Sequence, residues 1–174
     1  MQAIIKGEIE KTLDMRTLQG VVPRYARVIK YDKLKGKTLT EIFGRYTVLI
    51  ILWNIHDTKN RVLDQAGHFF VLSRRGPESE KLVVFSSTGM TPKEELFATH
   101  SDPKLLINLL PKDTVVNKMK LQTNRKSNTC WRYAILFTKL APMGLKSFQK
   151  LFRRPLHLMD PDQIVTALTL TELY

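Results

Sequence analysis

Residues 127–137 read Ser127-Asn128-Thr129-Cys130-Trp131-Arg132-Tyr133-Ala134-Ile135-Leu136-Phe137. A polar cap is thus followed at once by an apolar run, which predicts a buried helix that starts after Thr129 and ends near Ala141, before Pro142. Cys130 is the only cysteine of the chain and falls in the first turn of this helix. Backbone N–H groups and the helix dipole favour an anion there, so the position suits a nucleophilic thiolate. An inert buried cysteine would show the same pattern.

Length and composition indicate one globular domain covering residues 1–174. The chain has 174 residues, of which 43% are hydrophobic and 25% charged, as is usual for such domains. A lone cysteine excludes an internal disulfide, so we expect a reducing compartment. The longest apolar run, residues 47–53, is well short of the roughly 20 residues that span a bilayer. We expect a buried strand there and no membrane contact.

The chain is strongly basic. It has 28 Lys and Arg residues against 16 Asp and Glu, for a formal net charge of +12. The cations fall into three groups, within residues 24–37, 118–126 and 139–154. They form either a solvated surface or a surface that contacts a polyanion such as nucleic acid. Because the sequence holds no base-reading motif, we expect any such binding to be independent of base sequence.

Hydrophobic periodicity and turn residues predict an α+β arrangement. Helices are predicted at residues 2–18, from Thr91-Pro92, from Asp102-Pro103, after Thr129, at 144–153 and at 161–173. Strands are predicted at 46–53, 68–73, 81–86 and 115–122, with residues 54–67 irregular. Gly76-Pro77 predicts the turn of a hairpin between strands 68–73 and 81–86. We expect the Cys130 helix to be central and to pack on a mostly antiparallel sheet.

A cysteine nucleophile needs a base, and His68 is the best candidate of the four histidines. It opens an apolar strand directly after Gly67, where another backbone or a substrate can come close. The other three lie in polar segments and are most simply surface residues: His56, His100 and His157. His68 is therefore either the base or a strand-edge histidine without a role.

The predicted hairpin places a hydroxyl beside the candidate base. With the turn at Gly76-Pro77, His68 lies opposite Ser86, and a slip of one residue would place Ser87 there instead. A serine can accept the ring N–H but adds no charge, unlike the usual carboxylate or amide. Ser86 is thus a weak third member, and a Cys-His dyad is the alternative.

An oxyanion intermediate needs hydrogen-bond donors, and the backbone N–H of Cys130 is one. Gln122, at a predicted strand end, could supply its side-chain amide, or it could be ordinary polar surface. One cysteine and scattered histidines offer no metal-ligand spacing, so we expect no metal.

Four short segments carry a resemblance. In chain order they are Gly67-His68-Phe69-Phe70-Val71-Leu72, Val84-Phe85-Ser86-Ser87-Thr88-Gly89-Met90, Leu121-Gln122 and Ser127-Asn128-Thr129-Cys130. Together they resemble the adenain-like maturation cysteine proteases of adenoviruses, virophages, large DNA viruses and polinton transposons, over about residues 20–140. Ser86 stands where the family usually has Asp, Glu or Asn. Phe69 replaces the commoner Trp, and Trp131 replaces the usual Gly.

The resemblance implies a thiol protease of papain-like, adenain-type fold, which is also the fold of ubiquitin-like-modifier proteases. Cys130 would be the nucleophile, His68 the base, Gln122 the oxyanion-hole side chain and Ser86 the third position. Such hydrolases cleave capsid and other virion precursor proteins during maturation, often after small, Gly-rich sites. DNA would be an activating polyanion, with no other cofactor. We expect a monomer located in the virion and in the host cytoplasm or nucleus.

Two alternatives remain open. A protease that removes ubiquitin-like modifiers would share the fold and the catalytic order. A non-catalytic, basic, nucleic-acid-binding virion protein would explain the charge, but not the ordered His68, Gln122 and Cys130.

Overall fold

The computed structural model describes residues 15–56, 62–123, 128–153 and 159–170, with the backbone alone at 54–56 and 62–66. The helices are α1 (Met15–Val21), α2 (Leu39–Phe43), α3 (Pro92–Ala98), α4 (Lys104–Ile107), α5 (Cys130–Leu140), α6 (Leu145–Lys150) and α7 (Pro161–Thr169). The strands are β1 (Ala26–Lys30), β2 (Val48–His56), β3 (Val62–Ser73), β4 (Val83–Ser86) and β5 (Val115–Val116). Two 3₁₀ turns lie at Tyr31–Leu34 and Ala141–Met143.

The strands form one mixed sheet in the order β1-β2-β3-β4-β5. The central pairs, β2 with β3 and β3 with β4, are antiparallel, whereas β1 with β2 and β4 with β5 are parallel. The α+β class is thus compatible with the structure. The expectation of a mostly antiparallel sheet holds only for the centre, because both outer strands run parallel to their neighbours.

Both faces of the sheet are buried, which explains the unbroken apolar run of β2. Alternate residues of β2 and β3 face opposite cores: Val48, Ile50, Phe69 and Val71 lie in one, and Leu49, Ile51, Phe70 and Leu72 in the other. Side chains of α5, α6 and α7 complete the first core, and those of α2, α3 and α4 complete the second. A strand buried on both faces needs apolar residues at every position.

Helix α5 is the central helix of the first core, as the sequence predicts. Its residues from Cys130 to Thr138 are all buried, and it packs against β3, β4 and α7. The helix ends at Leu140, where the 3₁₀ turn containing Pro142 begins. Within the described ranges, no helix combines the length and apolarity needed to cross a bilayer.

Two of the predicted helices begin with capping boxes. Thr91 and Asp160 each form a complete capping box ahead of a proline at the helix start. The predicted helix at 2–18 lies largely outside the described residues. Only its last part, residues 15–18, is described, and it belongs to α1. The helices predicted after Asp102-Pro103 and at 144–153 are shorter than expected, since α4 and α6 stop at Ile107 and Lys150. The last residues of the helix predicted at 161–173 lie outside the described residues, which end at Leu170.

Two strand predictions are wrong. Residues 54–67 were expected to be irregular, but β2 continues to His56 and β3 begins at Val62, and Asn54 pairs with Gly67. Polar residues in these positions conceal the strand, because the sequence prediction relied on apolar runs. The strand expected over 115–122 is only Val115–Val116. Asn117 N still donates to Val84 O, but the Asn117 side chain bonds to Ser86 O and to Met119 O and N, which ends the pairing with β4.

The hairpin between β3 and β4 exists, but its register differs by two residues from the prediction. Phe70, not His68, lies opposite Ser86. The reversal is longer than a tight turn at Gly76-Pro77, with bonds from Ser79 N to Gly76 O and from Lys81 N to Glu78 O. A shift of two residues leaves every side chain on its original face. Ser86 therefore stays on the side of the sheet where His68 lies.

Gly89 lets the segment leading to Gln122 lie close to the end of β4. Its φ is +71°, and a Cβ there would lie 2.6 Å from Lys120 N and 2.8 Å from Met119 C. Both atoms belong to the backbone, so neither can move aside as a flexible side chain could. The same segment is bonded to β4 through Leu121 N and Gln122 N, which both donate to Ser87 O.

We predict that Gly89→Ala destabilises the protein by more than positive φ alone would explain. Gly36→Ala is a matched control, because Gly36 has a φ of +70° and nothing within 4 Å of an added Cβ. The control should lower the free energy of unfolding by about 1 kcal/mol. Gly89→Ala should cost at least about 1 kcal/mol more, because backbone must shift as well. Urea denaturation of both variants measures the difference, and equal losses would contradict the close approach.

Candidate active site

The end of β3 brings His68 next to a carboxylate that the sequence reading missed. Nε2 of His68 lies 2.8 Å from Oε1 of Glu95, with the two side chains only 12% and 6% exposed. Glu95 lies on α3, one position after the Glu94 that closes the capping box. A buried carboxylate and an imidazole at this distance form a charge-assisted hydrogen bond.

Glu95 Oε1 also accepts from two hydroxyls at the end of β4. Ser86 Oγ donates to it over 2.8 Å and Thr88 Oγ1 over 2.7 Å. Ser86 Oγ lies 3.2 Å from His68 Nε2 as well. The expectation that Ser86 is the partner of the base therefore needs correction. Ser86 contacts the ring, but the charged partner is Glu95, and Ser86 helps to hold that carboxylate.

Cys130 is a further partner of the imidazole. Its side chain hydrogen-bonds with that of His68, and Cys130 itself is 8% exposed at the first position of α5. The sequence reading that joined Cys130 and His68 in one site therefore agrees with the geometry.

The charge state of His68 follows from these neighbours. Burial alone would lower its pKa, but the Glu95 carboxylate, together with the bond to Cys130, outweighs burial and raises the pKa of His68 to about 10. An imidazole in this setting takes a proton readily and holds it at neutral pH. His68 is therefore an imidazolium beside the sulfur at neutral pH.

Trp53 packs against the ring of His68. The two residues are direct partners across β2 and β3, and their ring centroids are 5.1 Å apart. Trp53 is 1% exposed and also contacts Phe70, with centroids 4.4 Å apart. A buried aromatic wall of this kind excludes water from the His68–Glu95 pair and limits rotation of the ring.

Gln122 lies beside the end of β4 with its amide orientation fixed. Ser87 Oγ donates to Gln122 Oε1 over 2.9 Å, and Gln122 N donates to Ser87 O over 2.9 Å. The role of Gln122 as an oxyanion donor stays a prediction. The placement of Gln122 on the segment that precedes α5 fits that candidate role.

A buried carboxylate ties this segment to the start of α5. Asp162, 1% exposed at the start of α7, accepts hydrogen bonds from Thr129 Oγ1 and from Thr123 N and Oγ1. The Thr129 hydroxyl thus donates to Asp162 and does not cap α5. Asp162 therefore fixes the residues on both sides of 124–127, next to Cys130 and next to Gln122.

The remaining sequence candidates lie elsewhere. His100 is exposed just beyond α3, with a φ of +56°. The side chain of His56 and all of His157 lie outside the described residues. Phe69 and Trp131 are core residues, 6% and 1% exposed. Nowhere in the described part of the chain do three His, Cys, Asp or Glu side chains come together as metal ligands would.

Comparison of the sequence with protein-family models gives no match, and comparison with curated proteins gives none either.

We predict that Glu95 causes a pH dependence of stability between pH 6.5 and 10. Because the pKa of His68 is raised in the folded state, protonation of His68 stabilises the fold fully when the pH is below about 6.5, the ordinary value of the unfolded chain. This contribution is lost as the pH rises towards 10. Unfolding free energies from urea titrations at several pH values should therefore fall with pH in the native chain, by at most about 1.4 kcal/mol per unit for one proton.

Glu95→Gln should flatten this fall, because the amide retains the shape and the accepting oxygen but not the charge. Ser86→Ala is the control: it removes the hydrogen bonds of the Ser86 hydroxyl and keeps the Glu95 charge, so its slope should match that of the native chain. All three chains retain Cys130, so the thiol is common to them. Parallel curves for the native chain and Glu95→Gln would contradict the assignment.

Proposed function

We propose that this chain is a cysteine endopeptidase with the adenain and ubiquitin-like-protease fold, acting on virion precursor proteins. The observation that carries the proposal is the hydrogen-bonded series Cys130, His68 and Glu95 at the start of a buried helix. A nucleophile, a base and a group that orients the base are the three parts that this chemistry requires. The resemblance in sequence supplies the substrate class.

The proposed reaction begins from an ion pair in which His68 already holds the proton of Cys130. The thiolate attacks the scissile carbonyl carbon, and His68 then gives the proton to the leaving amine as the C–N bond breaks. A thioester remains on Cys130. Water, deprotonated by His68, attacks the thioester carbonyl and releases the acid and the thiol. Glu95 stabilises the imidazolium throughout and orients the ring.

The tetrahedral intermediates place negative charge on the carbonyl oxygen. The backbone N–H of Cys130, at the first position of α5, is one proposed donor, and Gln122 Nε2 is the other. Donors that are fixed before the reaction stabilise this charge without reorganisation. The bond to Ser87 and the ties to Asp162 provide that fixation.

The site favours a triad over a dyad. The sequence offered only Ser86 as a third member, but a carboxylate lies nearer to His68 Nε2 than the serine hydroxyl does, at 2.8 Å against 3.2 Å. Because Glu95 brings a negative charge and Ser86 does not, Glu95 is the proposed third member. Ser86 and Thr88 hold its oxygen in place.

We predict that Cys130 is alkylated rapidly at pH 7 and that His68→Ala slows the reaction about tenfold or more. An ordinary thiol is only a few per cent ionised at pH 7, so the base must form the thiolate. Mass spectrometry after iodoacetamide treatment measures the rate without ambiguity, since the chain has one cysteine.

Cys130→Ala should abolish both labelling and cleavage of a capsid precursor while melting within a few degrees of the native chain. Cleavage retained by this variant would refute the proposal. Incubation with a conjugate of a ubiquitin-like modifier tests the alternative protease class, which would cleave that conjugate. Slow alkylation of Cys130 that does not depend on His68 would favour the non-catalytic alternative.

A polyanion is the proposed second partner, and one end of the sheet offers a surface for it. Four arginines surround the aligned residues Ala26, Val48 and Ser73, and all four stack on aromatic rings. Arg27 and Arg45 lie 5.9 Å and 5.3 Å from the ring centroid of Tyr46, Arg74 lies 4.2 Å from Phe43, and Arg75 lies 4.0 Å from Tyr25.

This arginine surface suits phosphate groups. Stacking on an aromatic ring leaves the in-plane N–H groups of a guanidinium directed outwards, and the ring limits its motion. The surface lies about five residues along β3 from His68, or roughly 16 Å. A polyanion bound there would leave the candidate active site open.

We predict that Arg45→Glu/Arg74→Glu weakens binding of a short DNA duplex about tenfold or more. It should also reduce the slope of log affinity against log salt by about 2, because each lost phosphate contact removes close to one released counterion. Fluorescence anisotropy at several salt concentrations measures both.

Lys104→Glu/Lys112→Glu is the matched control, since it changes the net charge equally at exposed positions outside this surface. Equal losses in the two double variants would show that overall charge alone attracts the DNA.

A further inference from the structure

We propose that a groove along the edge strand β1 binds a compact polyphosphate. The groove has a volume of about 410 Å³, and four cations line it: Arg27, Lys30, Lys33 and Lys37. Arg27 and Lys30 lie on β1, Lys33 lies on the 3₁₀ turn that follows β1, and Lys37 lies just before α2. The inference does not depend on the proposed protease activity, because none of these residues belongs to the candidate active site.

Three of these cations have no counter-charge in the described part of the chain. The side chains of Lys30, Lys33 and Lys37 are exposed and form neither an ion pair nor a hydrogen bond there. Arg27 is exposed too, and its guanidinium lies over the ring of Tyr46. The charges of the groove are therefore available to a ligand.

Glu41 is the one carboxylate among the lining residues, and it is already engaged. Its Oε2 accepts hydrogen bonds from Thr38 N over 2.7 Å and from Thr38 Oγ1 over 2.8 Å, in the capping box of α2. Four cations and one carboxylate leave the lining with an excess of three positive charges. Like charges around one groove repel each other, and a bound polyanion removes that repulsion.

A second groove shows that this excess is local and does not simply follow from the net charge of +12. It has a volume of about 510 Å³ and lies beside β5, where Lys81, Lys118 and Lys146 line it together with Glu78 and Glu80. Charges of both signs nearly balance there. The second groove therefore serves as a comparison within the same chain.

A peptide strand is a poor occupant of the β1 groove, although β1 is an edge strand. Val28 N donates to Gln19 Oε1 over 2.7 Å, and Ala26 N donates to Pro23 O over 2.8 Å. These N–H groups are used within the chain, whereas an added strand needs free N–H groups along the edge. Recognition therefore falls to the charged side chains.

Phosphate oxygens match the donors of these side chains. Ammonium and guanidinium groups only donate hydrogen bonds, and phosphate oxygens accept them. A short chain of phosphates brings several negative charges into one groove and meets several cations at once, whereas a single phosphate does not. Inorganic tripolyphosphate carries this chemistry alone, ATP adds a base, and inositol hexakisphosphate adds a ring.

The groove adjoins the arginine surface, because Arg27 belongs to both. Lys30 lies three residues further along β1, at roughly 10 Å from Arg27. Arg45 and Arg74 do not line the groove. Variants of the lysines and variants of these two arginines therefore separate a small-ligand site from the surface proposed for DNA.

Isothermal titration calorimetry of the full chain with inorganic tripolyphosphate, at constant ionic strength, tests the groove. We expect Lys30→Gln/Lys33→Gln to weaken binding about tenfold or more, because two of the four charged donors are lost. Lys81→Gln/Lys118→Gln is the matched control, since it removes the same charge from exposed positions of the second groove. The control should bind within about twofold of the native chain.

Titrations with ATP and with inositol hexakisphosphate identify the source of the phosphates. Tighter binding of ATP than of tripolyphosphate assigns a nucleotide, and tighter binding of inositol hexakisphosphate assigns an inositol phosphate. DNA binding, measured by fluorescence anisotropy, gives the cross-check. Lys30→Gln/Lys33→Gln should lose more affinity for tripolyphosphate than for DNA, and Arg45→Glu/Arg74→Glu should show the reverse.

Three results would overturn the inference. The native chain would bind tripolyphosphate no more tightly than single phosphate, the two lysine pairs would lose equal affinity, or the arginine pair would lose more tripolyphosphate affinity than Lys30→Gln/Lys33→Gln. The second result would assign the binding to net charge, and the third to the arginine surface. None of these measurements uses Cys130, so failure of the proposed protease function leaves the test intact.

Discussion

The hydrogen bond between His68 and Glu95 is the constraint around which the site is built. Burying a carboxylate costs free energy unless the group is paired. Here one carboxylate oxygen of Glu95 accepts hydrogen bonds from the imidazole and from two hydroxyls. Those donors come from β3 and from the end of β4, while the carboxylate comes from α3. The pair therefore fixes the relative position of three elements. It also explains why the pKa of His68 rises in a place where burial would lower it.

The local parts of the fold could be predicted from the sequence, because local patterns specify them. The start of α5, the two-sided burial of β2 and the capping boxes at Thr91 and Asp160 all follow from residue types within a few positions. The register of β3 with β4 could not be predicted, since it depends on the whole path of the loop 74–82. The predicted register was wrong by two residues. Because side chains of a strand alternate between its faces with a period of two, Ser86 was still predicted on the correct face.

Glu95 was missed for a different reason. Its neighbour Glu94 matches the capping box and accounts for an acidic residue at a helix start. A signal was nevertheless present: Glu95 is a charged residue on the face of α3 that also carries Leu96, which is fully buried. In one turn of helix, a carboxylate on the buried side requires a partner, whereas one on the exposed side does not. The sequence analysis named Ser87 only as the residue that a slip of one position would place opposite His68. It did not predict the hydrogen bond between Ser87 and Gln122.

The tie between Asp162 and Thr129 bears on when the site comes into being. Residues that flank the nucleophile are held by a side chain more than thirty positions further along the chain. A nascent chain that has emerged only as far as Cys130 contains the thiol, the imidazole and the carboxylate, but not the helix that anchors them. We therefore expect the thiol to gain its full reactivity only after synthesis has passed α7, which would delay cleavage until the domain is complete.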